Sequence, residues 1–422
     1  MVTDRVEICL RPAEAEDLSQ IVHLDRLAFA PLKSNAEVEQ EWYAHGINPE
    51  GRQQFIAVDQ RTGLGVGTYT ELQLSVFLEG QELPAKGFAG VAVALERRGQ
   101  GVGRWMLEQS LRDLQQQQIP LAILYPFQHG FYRQLGWAWV GRVHQYTVAS
   151  HHLPSYPERC HIAAYDPTQH QIALTNAYHH AACQHNGWLR RQDWQWRSRL
   201  KPCPGREIYC YLEGGQILGY VILQYTLLDT LSQPALSLVI QEWVALNGDA
   251  YRGILGFLST LKDQVSTLVW NTYPEDSFPY LLREQRCDPG LRQTVEFFGL
   301  THRFGEIGAG FMWRLIDVAT AFRLRPVRPG DSFLLTFEIT DPVLGDQTLT
   351  ANFATGRMHP VSQRSPGVLK TSIAHLTEMY CGLRRASELV WTKEVEWTGD
   401  PSLLTKLDTA WEATPPFCWD AF

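Results

Sequence analysis

No run of 18 consecutive apolar residues occurs in this 422-residue sequence, so no membrane-spanning helix and no membrane partner are expected. Met1 to Leu10 is interrupted by Asp4, Arg5 and Glu7, which does not fit a signal peptide. The eight cysteines, at 9, 160, 183, 203, 210, 287, 381 and 418, form no Cys-x-x-Cys pair. That scatter argues against a disulfide frame and for reduced thiols, so a cytoplasmic location is expected. A basic surplus is missing as well. The 37 Lys and Arg stand against 45 Asp and Glu, a net charge of -8, whereas a nucleic-acid footprint would be basic. The group His179, His180, Cys183 and His185 fits no common zinc spacing, and no metal is expected.

What the sequence does have is aromatic mass. Its 14 Trp, 16 Tyr and 18 Phe imply large cores or aromatic-lined pockets. The length suits two to four domains. Three segments can be drawn: 1–150, 151–305 and 306–422. In the first, Ile8–Leu10 reads as a short strand. A helix from Asp17 follows, with Leu18, Ile21, Val22 and Leu24 on its apolar face. Phe55–Val58 and Val66–Leu74 read as strands around a glycine turn, and Phe88–Val93 as a buried strand. A helix to about Gln118 and a strand Leu121–Tyr125 complete the order. Ser150–Pro157 reads as a linker.

The second segment repeats this order weakly. Ile217–Val221 lies about 152 residues after the Gly65–Gly67 strand entry, and Val244-Ala-Leu246 lies 151 residues after Val93-Ala-Leu95. Duplication is one reading and chance the other. At that offset Asp249 would face the counterpart of Arg98, Arg252 that of Gly101 and Ile254 that of Gly103. In the third segment, Ser332–Ile339 and Thr348–Phe353 read as a hairpin, with helical runs around Leu369–Cys381 and Pro401–Trp411. This is an α+β module after two α/β segments.

The informative stretch is Val91-Ala-Val-Ala-Leu-Glu-Arg-Arg-Gly-Gln-Gly-Val-Gly103. It sets Arg98-x-x-Gly101-x-Gly103 between a buried strand and a helix start. A glycine turn can bend sharply and bring its amides close to a ligand. A helix N-terminus then favours an anion, and Arg97, Arg98 and Arg104 add positive charge. Alone, such a turn reads equally as plain structure. No Gly-Lys-Ser/Thr follows, so it is not a nucleotide P-loop. The preceding strand does not open a βαβ unit, so it is not a dinucleotide fingerprint.

These residues resemble the acyl-CoA-binding motif of the GNAT N-acetyltransferases. Phe131-Tyr-Arg-Gln-Leu-Gly-Trp137 resembles that superfamily's second signature, at its usual distance. The order of segments is similar to that of the Eis (enhanced intracellular survival) family: a GNAT domain, a degenerate GNAT domain and a sterol-carrier-protein-like domain. The third fold implies nothing here about sterols.

The resemblance implies an acetyl-CoA-dependent N-acetyltransferase in which an amine attacks the thioester directly. It implies that the backbone of Val91, Ala92 and Val93 lies beside pantetheine and thioester. Arg98, Gly99, Gln100, Gly101, Val102, Gly103 and Arg104 would hold the diphosphate, and Phe127 and Gln128 would line the far wall. Tyr132 takes the general-acid position, or else simply packs the helix end. The C-terminal carboxylate, here on Phe422, takes the general-base position. Pro415 to Phe422 holds two Pro, two Phe and a Trp, more apolar surface than a frayed tail carries. The acceptor is expected to be a cationic amine, aminoglycoside- or polyamine-like, or a lysine of a peptide or protein. Candidate contacts are Phe29, Glu41, Trp42, Tyr43, Trp419 and Asp420. By resemblance the chain assembles as a hexamer. A catalytically inactive CoA-binding sensor and a lipid carrier acting through the third segment are the competing classes.

Overall fold

The computed structural model describes residues 8–228, 235–285, 304–354 and 356–421. The chain forms two compact units. One holds the residues up to Val140, Phe311–Pro416 and Asp420; the other holds Gly141–Gly310 and Phe417–Trp419.

The first unit begins with β1 (Ile8–Pro12), α1 (Leu18–Phe29), α2 (Asn35–Trp42) and three long strands, β2 (Arg52–Asp59), β3 (Leu64–Leu78) and β4 (Gln81–Val93). Asp17 ties the entry to α1: its carboxylate takes two hydrogen bonds from Arg11, at 2.6 and 2.8 Å, and one from the Glu14 amide at 2.9 Å. Helix α1 buries Ile21, Val22 and Leu24 of the expected face, together with one acid, Asp25, and leaves Leu18 half-buried. Ser34 and Glu37 cap α2 reciprocally. Next come α3 (Val102–Gln116), β5 (Leu121–Leu124), α4 (His129–Arg133) and β6 (Ala138–Trp139). Helix α3 buries Val102, Met106, Leu107, Ser110, Leu111 and Leu114, a stripe at helical spacing.

The second unit opens with β7 (Arg142–Ala149), which sequence analysis had placed at the end of the first segment. It continues with β8 (Ile162–Ala164), α5 (Pro167–Ala182), α6 (Asp193–Leu200), β9 (Arg206–Glu213) and β10 (Gln216–Leu228). It ends with β11 (Ala235–Ala245), α7 (Gly248–Leu258), β12 (Val265–Thr272), α8 (Phe278–Leu281) and β13 (Gly305–Ala309). The sheet order is β13-β7-β12-β11-β10-β9-β8. Ser150–His152 and Pro157–His161, within and beside the expected linker, form short 3-10 turns.

The chain then returns to the first unit. β14 (Met312–Leu315) enters the first sheet between β5 and β6, giving the order β1-β2-β3-β4-β5-β14-β6. Sequence analysis had counted these residues with the third segment. After α9 (Val318–Leu324), a five-stranded sheet forms from β15 (Phe333–Thr340), β16 (Gln347–Ala354), β17 (Arg357–Val361), β18 (Val368–Ser372) and β19 (Glu396–Thr398), in the order β17-β16-β15-β18-β19. The expected hairpin is present, with Phe333 opposite Phe353. The expected helix from Leu369 is corrected. Val368–Ser372 is a strand parallel to β15, and the helix α10 begins only at Ile373, capped by Ser372. Helices α11 (Ala386–Trp391) and α12 (Pro401–Ala410) complete the regular structure of the described residues.

Candidate functional site

The site grows from a split in the first sheet. Strands β4 and β5 run parallel only from Ala85 opposite Leu121 to Phe88 opposite Leu124. Just beyond, Gly90 sits at φ +59°, and the pairing of β4 with β3 slips between Thr70–Ala89 and Thr68–Ala92. This bulge bends β4 away. Ala92 and Val93 are paired to β3 alone and Val91 lies in the bulge, so the other edge of this stretch faces the gap. Backbone groups in such a gap can pair with the amides of an extended ligand, as an added strand would.

The glycine turn leads from this strand to α3. Gly99 and Gly101 have φ of +73° and +83°, and a Cβ added at either would meet nothing within 4 Å. The backbone there needs glycine, and open space lies above it. Gly101 is the left-handed cap of α3, whose first amides have no acceptor within the helix. Val102 is buried under the turn, whereas Arg98, Gln100 and Arg104 are exposed. Two of the three arginines also have carboxylate partners within the fold. Arg97 is tied to Asp59 at 2.7 Å and so pins the turn to β2. Arg104 pairs with Glu108 at 2.7 Å on its own helix. The turn thus fits a diphosphate held chiefly by amides and the helix dipole.

Tyr132 lies on α4, buried in one cluster with Phe88, Leu124, Leu135 and Trp137, and Val91 of the β4 bulge packs against that cluster. Its ring meets Phe127 at 5.5 Å and Phe131 at 5.1 Å. Burial pushes the phenol up to about 12. Phe127 is 72% exposed and Gln128 is exposed beside it.

Four proposed acceptor contacts share the helix pair α1 and α2. Phe29 ends α1 and is 52% exposed; Trp42 ends α2 and is 42% exposed. Glu41 is paired with Lys33. Tyr43 donates its hydroxyl to Asp25. Trp419 stands apart in the second unit, stacked on Trp270 at 4.7 Å and edge-on to Trp188 at 5.8 Å. The Phe417 amide donates to the Asn186 carbonyl at 2.9 Å. The chain end is therefore buried up to Trp419, with Asp420 half-buried. Phe422 lies outside the described residues.

Sequence reading missed Asp25. It is 6% exposed, and one carboxyl oxygen is buried without a partner among the described residues. Burial, only partly offset by the Tyr43 hydrogen bond, raises its pKa to about 7. Its neighbour Leu24 packs against Ala92 and Ala94, next to the free edge of β4. The signal was available, since a charged residue on the apolar stripe of α1 is a conflict that functional sites tolerate.

Family models described as acetyltransferase (GNAT) domain match residues 9–140 and 187–315, and a sterol carrier protein domain matches 318–419. The chain is 25% identical over 368 residues to N-acetyltransferase Eis of Mycobacterium tuberculosis strain H37Ra, covering 84% of each. A GCN5-related N-acetyltransferase from Anabaena variabilis has a similar structure, with TM-score 0.82 at 21% identity over 99% of this chain and 100% of that one. Eis1 from Mycobacterium abscessus gives 0.73 at 18% identity, over 98% and 100%.

Proposed function

Because this chain is an Eis-like acetyltransferase with two GNAT domains and a sterol-carrier-protein-like domain, we propose that it moves an acetyl group from acetyl-CoA to an amine of a cationic small molecule. The observation that supports this reading is the gap between β4 and β5, which has the glycine turn at one end and, at Val91, packs against the cluster that holds Tyr132. Acetyl-CoA supplies the activated acetyl thioester. The edge of Val91–Val93 holds and aligns it, and the turn and first amides of α3 hold its diphosphate.

Tyr132 serves the departing sulfur. A thiol has a reference pKa of roughly 8.5, so a phenol at about 12 retains its proton by about 5 kcal/mol, at ~1.4 kcal/mol per unit. The free phenol at about 10 would give only about 2 kcal/mol. At neutral pH Tyr132 is therefore a held donor that meets negative charge as it grows on sulfur. It keeps its proton throughout the neutral range.

The acceptor is read from α1 and α2. Asp25 and the exposed rings of Phe29 and Trp42 supply an acid and two aromatic faces, the groups that hold an ammonium. The base, on this reading, is the Phe422 carboxylate, which rests on the resemblance; a short peptide added after Phe422 should then stop transfer and spare acetyl-CoA binding. The catalytic part on this reading is the chain up to Val140, completed by β14. A hexamer is part of the same reading, and light scattering tests it. The reading as a whole is tested by following CoA thiol release with aminoglycosides, polyamines and lysine peptides. Turnover with the small cationic amines supports it. Turnover with lysine peptides alone replaces it with a protein acetyltransferase. Acetyl-CoA binding with no turnover on any amine replaces it with a sensor.

A further inference from the structure

Arg314 and Asp341 form an ion pair at 2.6 Å, with both side chains fully buried. Arg314 lies on β14; Asp341 directly follows β15. The guanidinium makes three directed contacts. Nη2 donates to Asp341 at 2.6 Å, Nη1 to the Leu315 carbonyl at 2.9 Å, and Nε to the Leu135 carbonyl at 2.8 Å. The last contact reaches the turn that closes the Tyr132 helix. The amides of Leu135 and Trp137 both donate to the Tyr132 carbonyl, at 2.9 and 3.3 Å. The guanidinium therefore grips the peptide that fixes where α4 ends.

The same carboxylate reaches Tyr132 by a second route. Asp341 also accepts the amides of Val343 and Leu344, at 2.9 and 3.0 Å. These two bonds shape the β15–β16 turn. Val343 is buried in the apolar cluster that contains Tyr132, Leu135 and Trp137, and Leu344 packs against it. The fit around the grip is tight. Gly136 has φ +83°, and a Cβ there would lie 2.6 Å from the Ile373 side chain and 3.3 Å from the guanidinium.

A buried ion pair is a poor source of net stability, because removing two charges from water offsets their attraction. What it supplies is directed geometry, since a fork of N–H donors fixes several groups at once. We infer that Arg314 and Asp341 are positioning residues for Tyr132: the β15–β16 turn and its buried pair hold the phenol where the sulfur departs. The sterol-carrier-like part of the chain is then a working component of the acetyl-transfer centre. This rests on the reading that Tyr132 serves the sulfur. Displacement of a reacting group by about 1 Å lowers a rate by on the order of 10²-fold.

The test is a double-mutant cycle on the full-length protein, with kcat and the KM for acetyl-CoA measured separately. Asp341→Asn weakens the pair at nearly constant shape. It should lower kcat about 10–100-fold and leave the acetyl-CoA KM within about twofold, because the β4 edge and glycine turn are untouched. In a Tyr132→Phe background the same substitution should cost less than about twofold, since the group it positions is gone. Leu344→Ala trims only a partly buried side chain, and it carries the cycle if Asp341→Asn does not fold; the same loss of coupling is expected. If Tyr132→Phe is slow and the second substitution multiplies the loss undiminished, the positioning role is overturned and a general structural role replaces it. Wild-type kcat in the folded variants overturns it as well. Full turnover by Tyr132→Phe alone would instead overturn the reading of Tyr132, and this inference with it.

Discussion

Eight residues, Ala94–Gly101, separate β4 from α3 in the first acetyltransferase-like sheet; two, Leu246 and Asn247, separate β11 from α7 in the second. The second sheet keeps the bulge, between Ile222–Glu242 and Leu223–Ile240. It keeps the split, with β11 and β12 paired only to Ile240 opposite Trp270. It has lost the turn. Asn247 caps α7 directly by accepting the Ala250 amide. Aromatic rings occupy the region past the split: Trp243 meets Tyr251 at 4.5 Å and Trp270 at 5.7 Å. The two copies thus share a frame and differ in whether their gap is left open.

Their buried acids differ in the same sense. In the second unit, Glu242 is fully buried, which by itself raises its pKa, but Arg191 and Arg199 outweigh this and hold it at about 2. Arg191 grips it with two hydrogen bonds, at 2.9 and 2.6 Å, and Tyr220 adds its hydroxyl. Asp25 of the first unit has no cation and stands near 7. The buried acid of one copy is partnered at both oxygens; that of the other keeps one oxygen without a partner among the described residues, as a site that trades stability for function does.

Substitutions in matched places would break or sharpen this contrast. The largest expected effect is at the tyrosines. Tyr132→Phe should lower turnover by roughly 10²–10³, the range for a lost donor to charge that develops in the reaction, with acetyl-CoA binding retained. Tyr280→Phe on α8, where the ring is 83% exposed, should leave steady-state turnover unchanged. Equal losses from both would end the division of labour.

Gly101→Val comes next. It places a β-branched residue at φ +83° and fills the space above the turn, so the KM for acetyl-CoA should rise on the order of 10–100-fold, equivalent to about 1.4–2.8 kcal/mol. An unchanged KM in a folded variant would remove the turn from the binding site.

Asp25→Asn is subtler. A carboxyl raised to about 7 keeps its proton in the folded chain while the unfolded chain ionises above pH 4. Wild-type stability therefore falls as pH rises from about 4 through 7. The variant lacks this loss, so its Tm should exceed wild type by about 2–5 °C at pH 8 and match it at pH 4. Glu242 has the opposite sign, and its stabilisation is lost only as pH falls from about 4.5 through 2. A gap that shrinks toward pH 8 would mean that Asp25 finds a cation in solution. The smallest signal is a count: calorimetry should find one acetyl-CoA per chain, and two equivalent sites would show that the second gap opens.

Local features were legible in the sequence. The glycine turn, the stripe of α3 and the Phe333–Phe353 hairpin are each set by residues within a few turns of one another. Features made by distant residues were not. β14 reads as an ordinary apolar run until β5 and β6 are seen to leave room for it. Leu369 shares a helical apolar spacing with Leu376, yet pairing with β15 makes it a strand. The 151-residue offset put Asp249 against Arg98, whereas Asp249 stands in the first turn of α7 and the residues facing Arg98–Gly101 are absent. A short repeat cannot reveal a deletion that falls between its matches.

The insertion of β14 between β5 and β6 also sets an order of events during synthesis. When residue 140 has left the ribosome, β6 still lacks the strand that joins it to the sheet and the edge of β5 is exposed, a template for wrong pairing. Leu315 follows some 175 residues later, about 10–35 s at ~5–20 residues per second. The sheet that frames the proposed site is thus begun well before the second unit and closed only after it.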